Sequence, residues 1–313
     1  MKSPTRSKVP DPLQVMKTFT LSTIPNLDVC VLAALDLFSQ QEVPTTTVPY
    51  RRPLVVGSGN AAATGRILFE KSDAVFADES TVDVKLQNIQ AIDGVVLISA
   101  SGGKHAPVIA QKAKKAGKKV TLLTNNENAP ARPLADTTYV FPKNREPYTY
   151  NTSTYMGMIL GQTPEDPKEI KEFIQKRIDP LEMPDLAAFD KFFFVVPEEF
   201  GGIIRLLNVK FIELFGRNVA RDIETFEYMK HAVTVVPSNE LFVSFGRVYN
   251  DFGNNHLTVP LPKQAGYAAM MAIGYYIIGK IQKAHPDWFK QNIENYCRQM
   301  SKVFSQTISP IVE

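Results

Sequence analysis

The sequence predicts an α/β protein of two subdomains, each a parallel sheet flanked by helices in three layers. Three observations predict it. From Arg52 onward short β-rich apolar runs at 54–56, 74–77, 95–99, 120–124 and 138–141 alternate with amphipathic segments, as in strands joined by crossover helices and buried on both faces. The rhythm restarts after the proline-marked stretch 179–185 with the run 192–196. The chain of 313 residues is long enough for two domains of ordinary size.

Taken in order, residues 1–49 form a helical extension. Its apolar stretch 27–38 is closed by Gln40, Gln41 and Glu42 and by the linker 44–49. The first subdomain, 50–185, holds the five runs and ends beyond a helix that leads into the Pro164–Pro167 cap region. The second, 186–313, continues from 192–196 with a helix over 202–215, strands near Val233 and Leu241, and an apolar helix over 264–282. It reads as a shortened copy of the first, without a residue-level repeat.

Composition narrows the function. No apolar run approaches the roughly 20 residues that span a bilayer, and the basic N-terminus continues into polar and proline residues instead of a signal-peptide core. A cytoplasmic protein without a membrane partner is expected. The formal charge of +3 spreads over 35 basic and 32 acidic residues, which argues against nucleic acid. The lysines at 112, 114, 115, 118 and 119 read as a solvated helix end. Cys30 and Cys297 lie far apart in helical patterns and read as buried thiols. No motif with metal-ligand spacing is visible, so neither metal nor organic cofactor is expected.

The run ending at Ile98 is followed by Ser99, Ala100, Ser101, Gly102, Gly103 and Lys104, then by a helix over 106–116. A helix N-terminus beyond a strand end is a place for a phosphate. Ser99 and Ser101 would donate hydroxyls, Gly102 and Gly103 would let the backbone approach, and Lys104 would add charge. From these residues alone an ordinary β-to-α turn is equally good. A second turn, Gly57-Ser58-Gly59-Asn60, follows the first run. With Ala62 and Asp78 it also makes a degenerate dinucleotide fingerprint, which keeps a nucleotide site as an alternative. The polar stretch 148–155 enters an apolar helix; Thr152, Ser153 and Thr154 would close a ligand site, or Asn151 or Thr152 would cap the helix.

These motifs together resemble the sugar isomerase (SIS) domain over roughly residues 50–165, including 98–103, 110–117, Thr124-Asn125 and 133–136. Its phosphate loop reads Ser-x-Ser-Gly-x-Thr. The resemblance implies a phosphorylated-sugar ligand held by Ser99, Ser101 and Lys104, with Gly57, Ser58, Gly59, Asn60 and 152–154 around it. Lys104 stands where the family has threonine, and Ala61 where many members have serine.

The second half is similar to the double-SIS phosphosugar isomerases, among them the isomerase half of glucosamine-6-phosphate synthase. The helix carrying Lys210 and Glu213, and the segment ending at His231, carry this likeness. It implies Glu213 as the proton-transferring base, His231 as ring opener and Lys210 as a neighbouring cation, in a homodimer. Read without it, Lys210 and Glu213 form a helical ion pair and His231 caps or packs at the next strand. The synthase's tail lysine has no counterpart in 305–313, and no glutaminase domain or N-terminal cysteine is present. The expected activity is aldose-ketose isomerisation of a hexose 6-phosphate through an enediol. A deaminase or deglycase of phosphorylated amino sugars, or a non-catalytic sugar-phosphate-binding regulator, stands beside it.

Overall fold

Strands that are apolar at nearly every position need cover on both faces, and the computed structural model shows what supplies it. The structure describes residues 10–232, 238–285 and 288–313. In chain order it begins with helices α1 (Pro12–Thr18) and α2 (Leu27–Gln40). Then come β1 (Pro53–Val56), α3 (Asn60–Leu68), β2 (Val75–Ala77), α4 (Val82–Asn88), β3 (Gly94–Ile98), α5 (His105–Lys115), β4 (Lys119–Thr124) and β5 (Thr137–Val140). A two-residue strand β6 (Glu146–Pro147) precedes α6 (Thr152–Leu160) and α7 (Pro167–Phe173). The second half runs β7 (Lys191–Val196), α8 (Ile204–Phe215), β8 (Ala220–Thr225), α9 (Phe226–Ala232), β9 (Glu240–Phe245) and β10 (Asn255–Val259). It closes with α10 (Tyr267–Ala284), α11 (Trp288–Phe304) and β11 (Ile311–Val312).

Both large sheets are parallel, with strand orders β2-β1-β3-β4-β5 and β10-β9-β7-β8. The predicted α/β class with two helix-flanked parallel sheets is the observed one. The alternation of side chains divides each strand between two cores. Val55, Val96, Ile98 and Leu123 of the first sheet, and Phe192, Phe194, Val196 and Val243 of the second, pack into one continuous core with α2, α6, α8 and α10. The opposite faces carry smaller cores of their own, with Leu54, Val95 and Leu122 on one sheet and Phe193 and Phe242 on the other. The middle helical layer is thus shared by both sheets, and α2, which the sequence places in an extension, lies inside it.

Three elements depart from the reading of the sequence. Helix α1 was not expected, although Asp11 caps it and Pro12 opens it. The edge strands β8 and β10 arise from charged or polar stretches, because an edge strand is only half covered and keeps a weak apolar signal. The strand expected near Val233 falls outside the described residues. Among the described residues no helix is long and apolar enough to cross a membrane.

Candidate functional site

In the first sheet the order reverses between β1 and β3, which opens a crevice beyond their carboxyl ends. The turn 57–59 and the loop 99–104 both enter it and lead into the N-termini of α3 and α5. The residues just before these helices share one backbone conformation: Gly59 at φ 56°, ψ −122° and Lys104 at φ 54°, ψ −116°. Glycine adopts it freely; for lysine it is strained.

The loop is held from within and from behind. Ser99 Oγ accepts from the Gly102 N–H at 3.2 Å and Ser101 Oγ from the Gly103 N–H at 3.3 Å, which leaves both hydroxyl protons to be donated. Thr124 Oγ1 donates to the Ala100 carbonyl and Asn126 Nδ2 to that of Ser101. A cavity of about 860 Å³ lies over the loop. Of the expected ligand residues it is lined by Gly57, Ser58, Ser99, Ser101, Gly103 and Lys104. Gly59, Asn60 and Gly102 shape the turns without lining it. Ser58 donates its hydroxyl to the Glu79 carboxylate, and that bond holds Glu79 below the usual carboxylate range. Burial lowers the Lys104 ammonium, against the nearby charge of Glu79.

The stretch 152–154 lies elsewhere. Thr152 and Ser153 are fully buried and Thr154 nearly so, and none of the three lines the cavity. The buried Glu146 carboxylate caps α6, accepting from the Thr152 and Ser153 N–H groups and from Ser153 Oγ, each at 2.7 Å. The cap therefore comes from β6 and not from the side chain of Asn151 or Thr152. Burial raises the Glu146 carboxyl. Ahead of α6, Thr149 and Asn151 both have positive φ, 75° and 48°.

Lys210 is fully buried, so the pair it makes with Glu213 is no surface contact. Its Nζ donates to the carbonyls of Thr149 at 2.5 Å and Tyr150 at 2.7 Å, and to Glu213 at 2.9 Å, using all three protons. Burial pushes the Glu213 carboxyl up while Lys210 pulls it down. Glu213 is not among the lining residues, but its charge is felt by Tyr148 and Tyr155, which are. Tyr148 is pushed up to about 12, chiefly by burial.

His231 is exposed at the end of α9, on the second sheet, and does not line the cavity. His105 does line it. His285 bonds the Leu186 carbonyl and packs edge-on against Phe192 and Phe215, a structural place.

Sequence reasoning missed the far wall. β11 pairs antiparallel with β6, the Tyr148 N–H donates to the Pro310 carbonyl at 2.8 Å, and Arg145 Nε donates to the Glu313 carboxylate at 2.9 Å. Lys104 Nζ lies 3.4 Å above the centre of the Phe304 ring. Residues 304–313 thereby bring Phe304, Thr307, Ser309 and Glu313 to the cavity. No local signal points to Arg145, Tyr148 or Tyr155; only the fold joins them. No group of three His, Cys, Asp or Glu side chains that could hold a metal stands together among the described residues.

No family model and no curated protein matches the chain in sequence. Solved structures do match its fold. Glucosamine-6-phosphate deaminase from Thermotoga maritima superposes with a TM-score of 0.58 at 18% identity, over 82% of this chain and 92% of the other. The C-terminal domain of glucosamine-fructose-6-phosphate aminotransferase from Francisella tularensis gives 0.55 at 12% identity, over 90% and 97%. Tagatose-6-phosphate ketose/aldose isomerase from Escherichia coli gives 0.55 at 13%, over 88% and 91%. These likenesses are of fold: the chain is built as the solved phosphosugar-isomerase and SIS-type structures are. Its two helix-flanked parallel sheets, of five and four strands, are consistent with two SIS-type subdomains, the fold the resemblance implied.

Proposed function

We propose that the protein interconverts the aldose and ketose forms of a hexose 6-phosphate. One observation carries this reading: the half-buried Glu213 carboxylate is joined through the fully buried Lys210 to the turn at Thr149 and Tyr150, whose neighbours Tyr148 and Asn151 line a cavity floored by a hydroxyl-bearing helix-terminus loop. The loop of residues 50–185 would hold the phosphate through the Ser99 and Ser101 hydroxyls, the N-terminus of α5 and Lys104. Residues 186–313 would supply the base. Glu213 would take the proton from the carbon beside the carbonyl and return it to the neighbouring carbon, a transfer that needs neither metal nor organic cofactor. His231 lies outside its own chain's cavity, so ring opening by it would act in the site of a second subunit.

The test is proton exchange. The protein is incubated with fructose 6-phosphate in D2O and deuterium at C1 and C2 is followed by NMR. Wild type should exchange, and Glu213→Gln should exchange at least about a hundredfold more slowly. Equal rates in the two would sink Glu213 as base. The Ser58 bond to Glu79 places an anion near the loop and favours a second reading, a regulator that only binds. A wild-type melting temperature raised by the sugar phosphate with no exchange would select it.

A further inference from the structure

The lysine and the arginine that line the cavity are both held by one segment. Lys104 has its ammonium over the ring of Phe304, and Arg145 has its Nε bonded to the Glu313 carboxylate at 2.9 Å. Glu313 is the one carboxylate among the described residues that line the cavity, and 79% of its side chain is exposed. Arg145 is the firmer partner. Its side chain is 25% exposed, its Nη1 donates to the Phe19 carbonyl at 2.7 Å, and its guanidinium carbon lies 4.4 Å from the centre of the Phe19 ring. A guanidinium fixed from behind presents a planar fork of donors that matches a carboxylate, while an exposed carboxylate is a weakly held partner.

The segment does not depend on this pair for its place. β11 is paired with β6, the Tyr148 N–H donates to the Pro310 carbonyl, and the buried Ile308 donates its N–H to Ser301 Oγ. Arg145 can therefore change partners without releasing the wall.

We infer that the cavity accepts phosphorylated sugar acids, the loop 99–104 taking the phosphate and Arg145 exchanging the Glu313 carboxylate for that of the ligand. The inference rests on the phosphate lying at the loop, and it goes beyond isomerisation, since a sugar acid offers Glu213 no aldehyde. One carboxylate replaces another, so the guanidinium stays paired throughout. The displaced Glu313 side chain is already at the surface and returns to water at little cost. A neutral sugar phosphate leaves Arg145 on Glu313 and gains nothing from it.

The experiment is titration calorimetry at fixed ionic strength with gluconate 6-phosphate and glucitol 6-phosphate, two open chains that differ only in a carboxylate against a hydroxymethyl group at C1. Wild type should bind the acid at least about tenfold more tightly, as a charge-assisted hydrogen bond requires. Arg145→Gln should bind the two within about twofold of each other, the fork being gone. Glu313→Gln should tighten the acid several-fold and leave the polyol unchanged, because only the acid competes with that carboxylate. Arg145→Lys keeps the charge without the fork; it replaces the Gln variant if that chain does not melt cooperatively, and should lose most of the preference. Equal affinities in wild type, or a preference that survives in Arg145→Gln, would overturn the inference. Wild type that binds neither ligand removes the phosphate from the loop and the inference with it, a result distinct from equal binding.

Discussion

Lys104 holds the backbone conformation that Gly59, its counterpart in the neighbouring turn, holds without strain. A side chain kept there at a cost of roughly 1–3 kcal/mol is expected where its head group has a task, and its ammonium lies at the cavity over Phe304. Two substitutions separate strain from charge. Lys104→Ala and Lys104→Gly both remove the ammonium, and each should weaken phosphate binding about tenfold, the worth of one charge-assisted hydrogen bond. Only Lys104→Gly relieves the backbone, so in denaturant melts it should be more stable than Lys104→Ala by about 1 kcal/mol. Equal stabilities would mean that position 104 is unstrained. The same residues mark what was legible. Ser99, Ser101 and Lys104, which line the cavity, could be singled out because the loop that carries them is written in consecutive positions. Tyr155 could not, because its place at the cavity depends on Glu146 capping α6 and on Lys210 reaching the turn before it.

At the scale of elements, the close crossing of α2 and α10 decides the middle layer. A Cβ on Gly279 would lie 2.2 Å from the backbone nitrogen of Asp28, and backbone cannot move aside as a side-chain tip can. Gly279→Ala should therefore cost about 3 kcal/mol, the upper end for overpacking, as read by denaturant unfolding. A change under about 0.5 kcal/mol would show that the crossing is looser than described. The contact is reinforced by the Leu27 N–H donating to Gln282 Oε1 at 2.9 Å and by the ion pair of Lys283 with Asp28. Helix α2 was predictable from its apolar run, but its partner was not, since nothing local marks Gly279 in α10 as the seat for Asp28 of a helix at the other end of the chain. β8 and β10 escaped for the opposite reason: edge strands need little apolar sequence, so their charged and polar residues read as loops.

For the whole molecule, one core joins both sheets through shared helices. The strands of the two sheets lie on either side of residue 185, while the helices between the sheets come from both halves of the chain. Calorimetry should accordingly give a single transition whose van't Hoff and calorimetric enthalpies agree; two resolved transitions would show that the halves unfold independently. The alternation of apolar runs made the two sheets legible, because a strand covered on both faces advertises itself. The sharing of one helical layer was not legible, since a helix buried against two sheets has the same apolar sequence as one buried against a single sheet. That sharing bears on how the chain is born. Helix α2 leaves the ribosome early, yet the residue that accepts its first N–H follows 255 positions later. At 5–20 residues per second the interval is roughly 13–50 s. Through that time its oily stripe is a natural client for chaperones, and slowed translation of the last third of the message would lengthen the exposure.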